Sequence, residues 1–219
     1  MLKNVRIWFT KSDSAKYISH LDLNNCMLRA IHKSQIPIWH TEGFHPHPFI
    51  TFALPLSLGF TGLYESMDIK LIDDISNEDL IERLNSSLPI GIRITGVSEP
   101  VMHQKEIAFA MFNISAELPA DNIDSCFEKL NELLTSDEIL VEKKTKKGIK
   151  TINLKDDIKE YSLNKSENKM TLNIILPAGN TKNINPNLIF TAFKNKFNEK
   201  IYVEITRSRL YNINMKDFY

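Results

Sequence analysis

The sequence predicts an α+β fold built from two copies of the element order β-α-β-β-α-β. Three observations predict it: apolar residues alternate with polar ones in short runs, Ser-x-x-Asp pairs open two helical stretches, and the same order recurs in the second half of the chain. With 219 residues, there is enough chain for two modest cores, since domains typically run to about 100–150 residues.

Val5, Ile7 and Phe9 alternate with Arg6, Trp8 and Thr10, the period of a strand with one buried face. Ser19 stands three residues before Asp22 and opens a run in which Leu23, Cys26, Met27 and Ala30 recur at helical spacing, a capped amphipathic helix. Pro37 to His40 is extended, a Pro-rich loop runs from Gly43 to Pro48, and Ile50, Phe52 and Leu54 then alternate as a strand. Met67, Ile69 and Leu71 form another strand, Ser76 with Asp79 caps a helix carrying Leu80, Ile81, Leu84 and Leu88, and Ile92 with Ile94 closes the set.

The second copy begins with Phe112, Ile114, Ala116 and Leu118, followed by a helix bearing Ile123, Phe127, Leu130 and Leu134 and a strand near Ile139 and Val141. Met170, Leu172, Ile174 and Leu176 alternate, Asn185 and Pro186 open a helix with Ile189, Ala192 and Phe193 inward, and Ile201, Val203 and Ile205 make the last strand. Lys143 to Asn168 is long for a hairpin and reads as an insertion with a short helix. Two helices on one face of an antiparallel sheet is the split βαβ arrangement, so the expectation is two tandem ferredoxin-like domains, 1–104 and 105–219.

Hydrophobic residues make up 42% and charged residues 25%, an ordinary globular balance, and 27 basic residues against 27 acidic ones leave no net field to attract nucleic acid or anionic lipid. Cys26 and Cys126 are too few for a disulfide framework or a zinc knuckle, which fits a reduced cytoplasm. The opening MLKNVRIWFTK lacks a signal-peptide core, and no segment approaches the ~20 apolar residues of a membrane span. Secretion, membrane insertion and a bound cofactor are therefore not expected.

His20, His40, His45 and His47, four of the six histidines, lie within 28 residues beside Asp22 and Glu42. A Pro-stiffened loop can present two imidazoles at low entropic cost, so a metal site or a His general acid/base has to be considered, although the spacing fits no standard metal motif. The alternative is a capped helix with exposed loop histidines. Ser19-His20-Leu21-Asp22 has the residue types of a triad, but a capping box explains Ser19 and Asp22 more cheaply. The KKTKKGIK run at 143–150, with Arg207 and Arg209, could touch RNA phosphates or could be solvated lysines. Arg6 and Trp8 share one strand face, either a platform for a base or, as the two-domain layout favours, a face turned toward the second domain.

Tyr17-Ile18-Ser19-His20-Leu21-Asp22-Leu23, Arg29-Ala30, Pro37, Glu42-Gly43-Phe44-His45-Pro46-His47-Pro48, Phe52-Ala53-Leu54-Pro55-Leu56 and Leu58-Gly59 together resemble a radical-SAM-linked protein family of unknown function. Lys147-Gly148-Ile149-Lys150, with Ile152 and Leu154, and Ile205-Thr206-Arg207 are similar to its later features. The family's members resemble one another as stand-alone chains or as carboxyl-terminal extensions of cobalamin-binding-type radical SAM proteins. Phe49 departs from it, standing where a basic residue is expected, which weakens any phosphate-binding role for the loop. No catalytic residues carry over.

The resemblance implies a non-catalytic partner or substrate-recognition module for a separate radical SAM enzyme, with RNA a possible substrate. Two distant cysteines cannot supply the three thiolates of a radical SAM cluster. The candidate interaction residues are Ser19, His20, Asp22, Arg29, Glu42, His45 and His47. The rivals are an RNA-binding or RNA-processing protein using a His general acid/base, and a metal-binding hydrolase.

Overall fold

The computed structural model describes residues 2–145 and 148–219 and bears out the α+β class. The chain divides into two compact units, one running to Glu106 and including Phe218–Tyr219, the other covering Ile107–Asp217.

The first unit contains β1 (Lys3–Lys11), α1 (His20–Lys33), β2 (Ile50–Phe52), β3 (Thr61–Leu71), α2 (Asn77–Ser87) and β4 (Ile92–Ser98). β1 pairs antiparallel with β3 and β4, and β2 pairs antiparallel with β3. Met67 faces Ile7 on one edge and Phe52 on the other, so the strand order is β4-β1-β3-β2. The alternation read from the sequence sets the packing. Val5, Ile7, Phe9, Met67, Ile69 and Leu71 bury with Leu23, Met27 and Ile31 of α1 and Leu80 and Leu84 of α2. Arg6, Trp8, Ser66, Asp68 and Lys70 hold the alternate positions of the same strands, which turns them to the opposite face.

Both helix starts are capped as their sequences require. Ser19 Oγ accepts from the Asp22 N–H while Asp22 returns a bond to the Ser19 N–H, and Ser76 Oγ accepts from the Asp79 N–H.

The second unit contains β5 (Ile107–Glu117), α3 (Ala120–Thr135), β6 (Leu140–Thr145), β7 (Gly148–Asn153), β8 (Glu160–Lys165), β9 (Lys169–Pro177), α4 (Asn187–Phe197) and β10 (Glu204–Asn212). Its strand order is β10-β5-β9-β8, each pair antiparallel, with β6 and β7 forming a separate hairpin. α4 starts one residue later than expected, with Pro186 as its N-cap, and the side-chain oxygen of Asn185, just before that cap, accepts from the Asn187 N–H.

Three expectations for this unit need correction. The strand near Ile139 and Val141 belongs to the β6–β7 hairpin, and the partner of β9 is β8, whose Tyr161 and Leu163 alternate with polar residues on an edge and give a weak apolar signal. The last strand starts at Glu204, so Ile201 and Val203 precede it. The expected short helix in the insertion is a single 3-10 turn, Lys155–Asp157.

Candidate functional site

The seven candidate residues do not meet at one point. Ser19, His20 and Asp22 start α1, which spans 14 residues and is therefore about 20 Å long. The loop carrying Glu42, His45 and His47 lies beyond the other end of that helix. It leaves the sheet where Ile38 bridges Leu71 and the Trp39 N–H bonds the Lys70 carbonyl, and returns where the Phe49 N–H bonds the Trp39 carbonyl. Arg29 is exposed on α1 and borders a shallow depression with Cys26, Lys33 and Pro89. Among the described residues no three His, Cys, Asp or Glu side chains gather as a metal would need.

At the α1 start the triad geometry does not form. Ser19 Oγ lies 2.7 Å from Asp22 Oδ2, while the His20 ring packs edge-on against Phe52 with centroids 5.0 Å apart. Burial lowers the His20 pKa below its usual 6.5, the Lys11 ammonium lowers it further, and the Glu65 carboxylate opposes both. Lys11 and Glu65 are themselves buried, and Lys11 Nζ donates to the carbonyls of Lys16 and Ile18. The capping box thus accounts for Ser19 and Asp22, and burial, helped by Lys11, favours a neutral imidazole at His20.

The His-Pro loop is pinned at its base and open at its tip. The Thr41 N–H donates to the His47 carbonyl at 2.9 Å and the His47 N–H donates to Thr41 Oγ1 at 3.2 Å. His47 Nδ1 lies 3.1 Å from Thr41 Oγ1. Glu42, Phe44, His45 and His47 are exposed, and Phe44 has nothing covering its ring. A ring left wholly in water on a tethered turn is unusual for a residue type that buries readily.

The face of β1 and β3 opposite the helices holds what sequence reasoning missed. Arg6 is 0% exposed and donates through Nε and Nη2 to the two carboxylate oxygens of Asp68 at 2.7 and 2.9 Å, a bidentate pair. Nη2 also donates to the Met102 carbonyl at 2.8 Å, and Gln104 Nε2 donates to Asp68 Oδ2 at 3.0 Å and to the Thr51 carbonyl. The Phe218 ring centroid lies 4.3 Å from the guanidinium carbon, Trp8 meets Phe218 edge-on and Tyr64 at a tilt, and the Met102 N–H bonds the Tyr219 carbonyl. Of the two readings of Arg6 and Trp8, the less favoured one, an open platform, does not hold: Phe218 and Met102 cover that face. Arg6 Nη1 is buried with no hydrogen-bond partner among the described residues.

Beside this pair opens a cavity of about 350 Å³ bordered by Arg6, Asp68, Lys70, Phe49, Thr51 and Gln104. Lys70 Nζ sits 4.7 Å from the Phe49 ring centroid and 4.9 Å from that of Trp39. In the second unit the two arginines of the basic strip differ. Arg207 is buried, whereas Arg209 is exposed and pairs with Asp217. The register shift in β10 between those two residues separates them. The KKTKKGIK run includes residues 146 and 147, which lie outside the described residues.

Among the described residues no helix is long and apolar enough to cross a membrane. What fold and site define is a two-unit α+β chain with a tethered His-Pro loop and a charged cavity in its first unit. Residues 4–186 match the profile of DUF2344, described as an uncharacterized protein conserved in bacteria, and the chain belongs to that family. The family's description names no reaction, no ligand and no radical SAM enzyme. No curated protein matches the chain. A crystal structure of an unknown protein from Galdieria sulphuraria matches over 94% of this chain and 99% of its own, at 10% identity and a TM-score of 0.27, too low to carry any inference about fold or activity.

Proposed function

We propose that this chain is a non-catalytic recognition partner of a separately encoded radical SAM enzyme, with each unit a ferredoxin-like domain. The domain reading draws support from the two strand orders, β4-β1-β3-β2 and β10-β5-β9-β8, which with β6–β7 set aside as an insertion both follow a split βαβ path.

The observation that carries the partner role is the His-Pro loop. It is tied at Thr41 and His47, so ordering it on a partner costs little entropy, and it offers Phe44 and two imidazoles to solvent. The chain's thiols point the same way. Cys26 lies in one unit and Cys126 in the other, and burial is the first cause raising both pKa values, which keeps them protonated rather than ready as ligands.

Affinity capture from native lysate with wild-type protein and with a Phe44→Ala/His45→Ala/His47→Ala variant tests the reading. A radical SAM enzyme recovered by the wild type and lost by the variant supports it. Recovery without any such enzyme sinks it, and recovery of RNA alone puts an RNA-binding role in its place.

A further inference from the structure

We propose that the cavity beside the Arg6–Asp68 pair is a binding site for a small monoanion with a flat apolar portion. This inference stands apart from the docking role of the loop and survives its failure.

Size and composition define the class. A cavity of about 350 Å³ falls within the ~300–1,000 Å³ range of small-molecule sites, which join apolar walls to a few placed polar groups. Phe49 supplies the apolar wall, while Thr51, Gln104 and the charged side chains supply the polar one. Flat molecules suit the exposed part of a phenyl face, where offset stacking adds to the area buried.

Charge narrows the class further. Arg6 and Asp68 cancel, because both carboxylate oxygens are taken by the guanidinium. Lys70 is left over. Its ammonium rests over the Phe49 and Trp39 rings and has no carboxylate partner among the described residues. Ring faces hold a cation without neutralising it, so one positive charge remains for a ligand. With Lys70 the one charge left over among these side chains, a second negative charge on the ligand would be taken from water with no partner, which disfavours dianions such as phosphate monoesters. Arg6 lines the same cavity, and its Nη1 is a buried donor without a partner among the described residues.

Isothermal titration calorimetry with naphthalene-1-sulfonate, 1-naphthyl phosphate at pH 8 and the neutral 1-naphthalenemethanol tests the proposal. The sulfonate is expected to bind the wild-type protein with Kd of about 1 mM or tighter, and both other probes about fivefold more weakly. Lys70→Gln and Phe49→Ala should each weaken the sulfonate by about fivefold. Lys70→Arg should retain it, and Asn113→Ala in the other unit should leave it unchanged. Unaltered far-ultraviolet circular dichroism separates loss of binding from loss of fold. Equal affinity for the neutral probe, indifference to Lys70→Gln, or no heat at millimolar sulfonate would each overturn the proposal.

Discussion

The two units share a strand order yet treat the sheet face turned away from their helices in opposite ways. In the first unit that face carries the buried ion pair of Arg6 and Asp68 under an aromatic lid, Phe218. In the second, the corresponding positions carry neutral amides: Asn113 Nδ2 donates to Asn173 Oδ1 at 2.6 Å, and Asn173 Nδ2 donates to Ser162 Oγ at 3.3 Å. A smaller cavity of about 230 Å³ lies over that ladder. The difference teaches that one backbone path sets which residues share a face, while the energetics of the face depend on whether charge has been taken out of water there. A buried pair is costly to break because the surviving ion is stranded; an amide ladder loses only a net hydrogen bond.

Asp68→Ala is the strongest test of that contrast. It strands a guanidinium that is 0% exposed and should cost the first unit about 3–5 kcal/mol. Both tryptophans, Trp8 and Trp39, lie in the first unit, so urea unfolding followed by tryptophan fluorescence reads this unit alone while circular dichroism reads both. Phe218→Ala should follow at about 3 kcal/mol, a buried ring removed from the guanidinium and from Trp8. Asn113→Ala should cost the second unit about 1 kcal/mol, seen in circular dichroism with the fluorescence midpoint unmoved. If Asp68→Ala proves as mild as Asn113→Ala, burial of the pair is not what distinguishes the faces.

The sequence made much of this architecture legible and almost none of that contrast. Val5, Ile7 and Phe9, and the Ser19–Asp22 box, are local signals, each readable within a few residues, and the structure keeps them. Strand β8 escaped because an edge strand with one partner shows little apolar alternation. The histidines misled for a different reason. Histidines close in sequence are not close in space here, because α1 lies between His20 and the loop and holds them apart. Arg6 and Asp68 both sit at alternate positions of amphipathic strands, a local pattern that does not identify what covers them; the Met102 carbonyl and Phe218, remote in sequence, do so.

The smallest effect concerns acid. All six histidines, His20, His32, His40, His45, His47 and His103, fall in the first unit, so stability of the second should be flat where imidazoles titrate. At His20 the surroundings set a direction, with burial first and Lys11 second lowering its pKa. The folded protein therefore binds fewer protons at His20 than the unfolded chain does as pH falls below 6.5. Its contribution is fully retained above that value and is lost as pH drops toward the lower folded pKa. Fluorescence-monitored urea midpoints should thus decline on acidification, and His20→Gln should decline less steeply between pH 7 and 5. Parallel decline of the two proteins would mean that His20 sits as freely in water when folded as when unfolded, and the contact with Phe52 would then be too loose to matter.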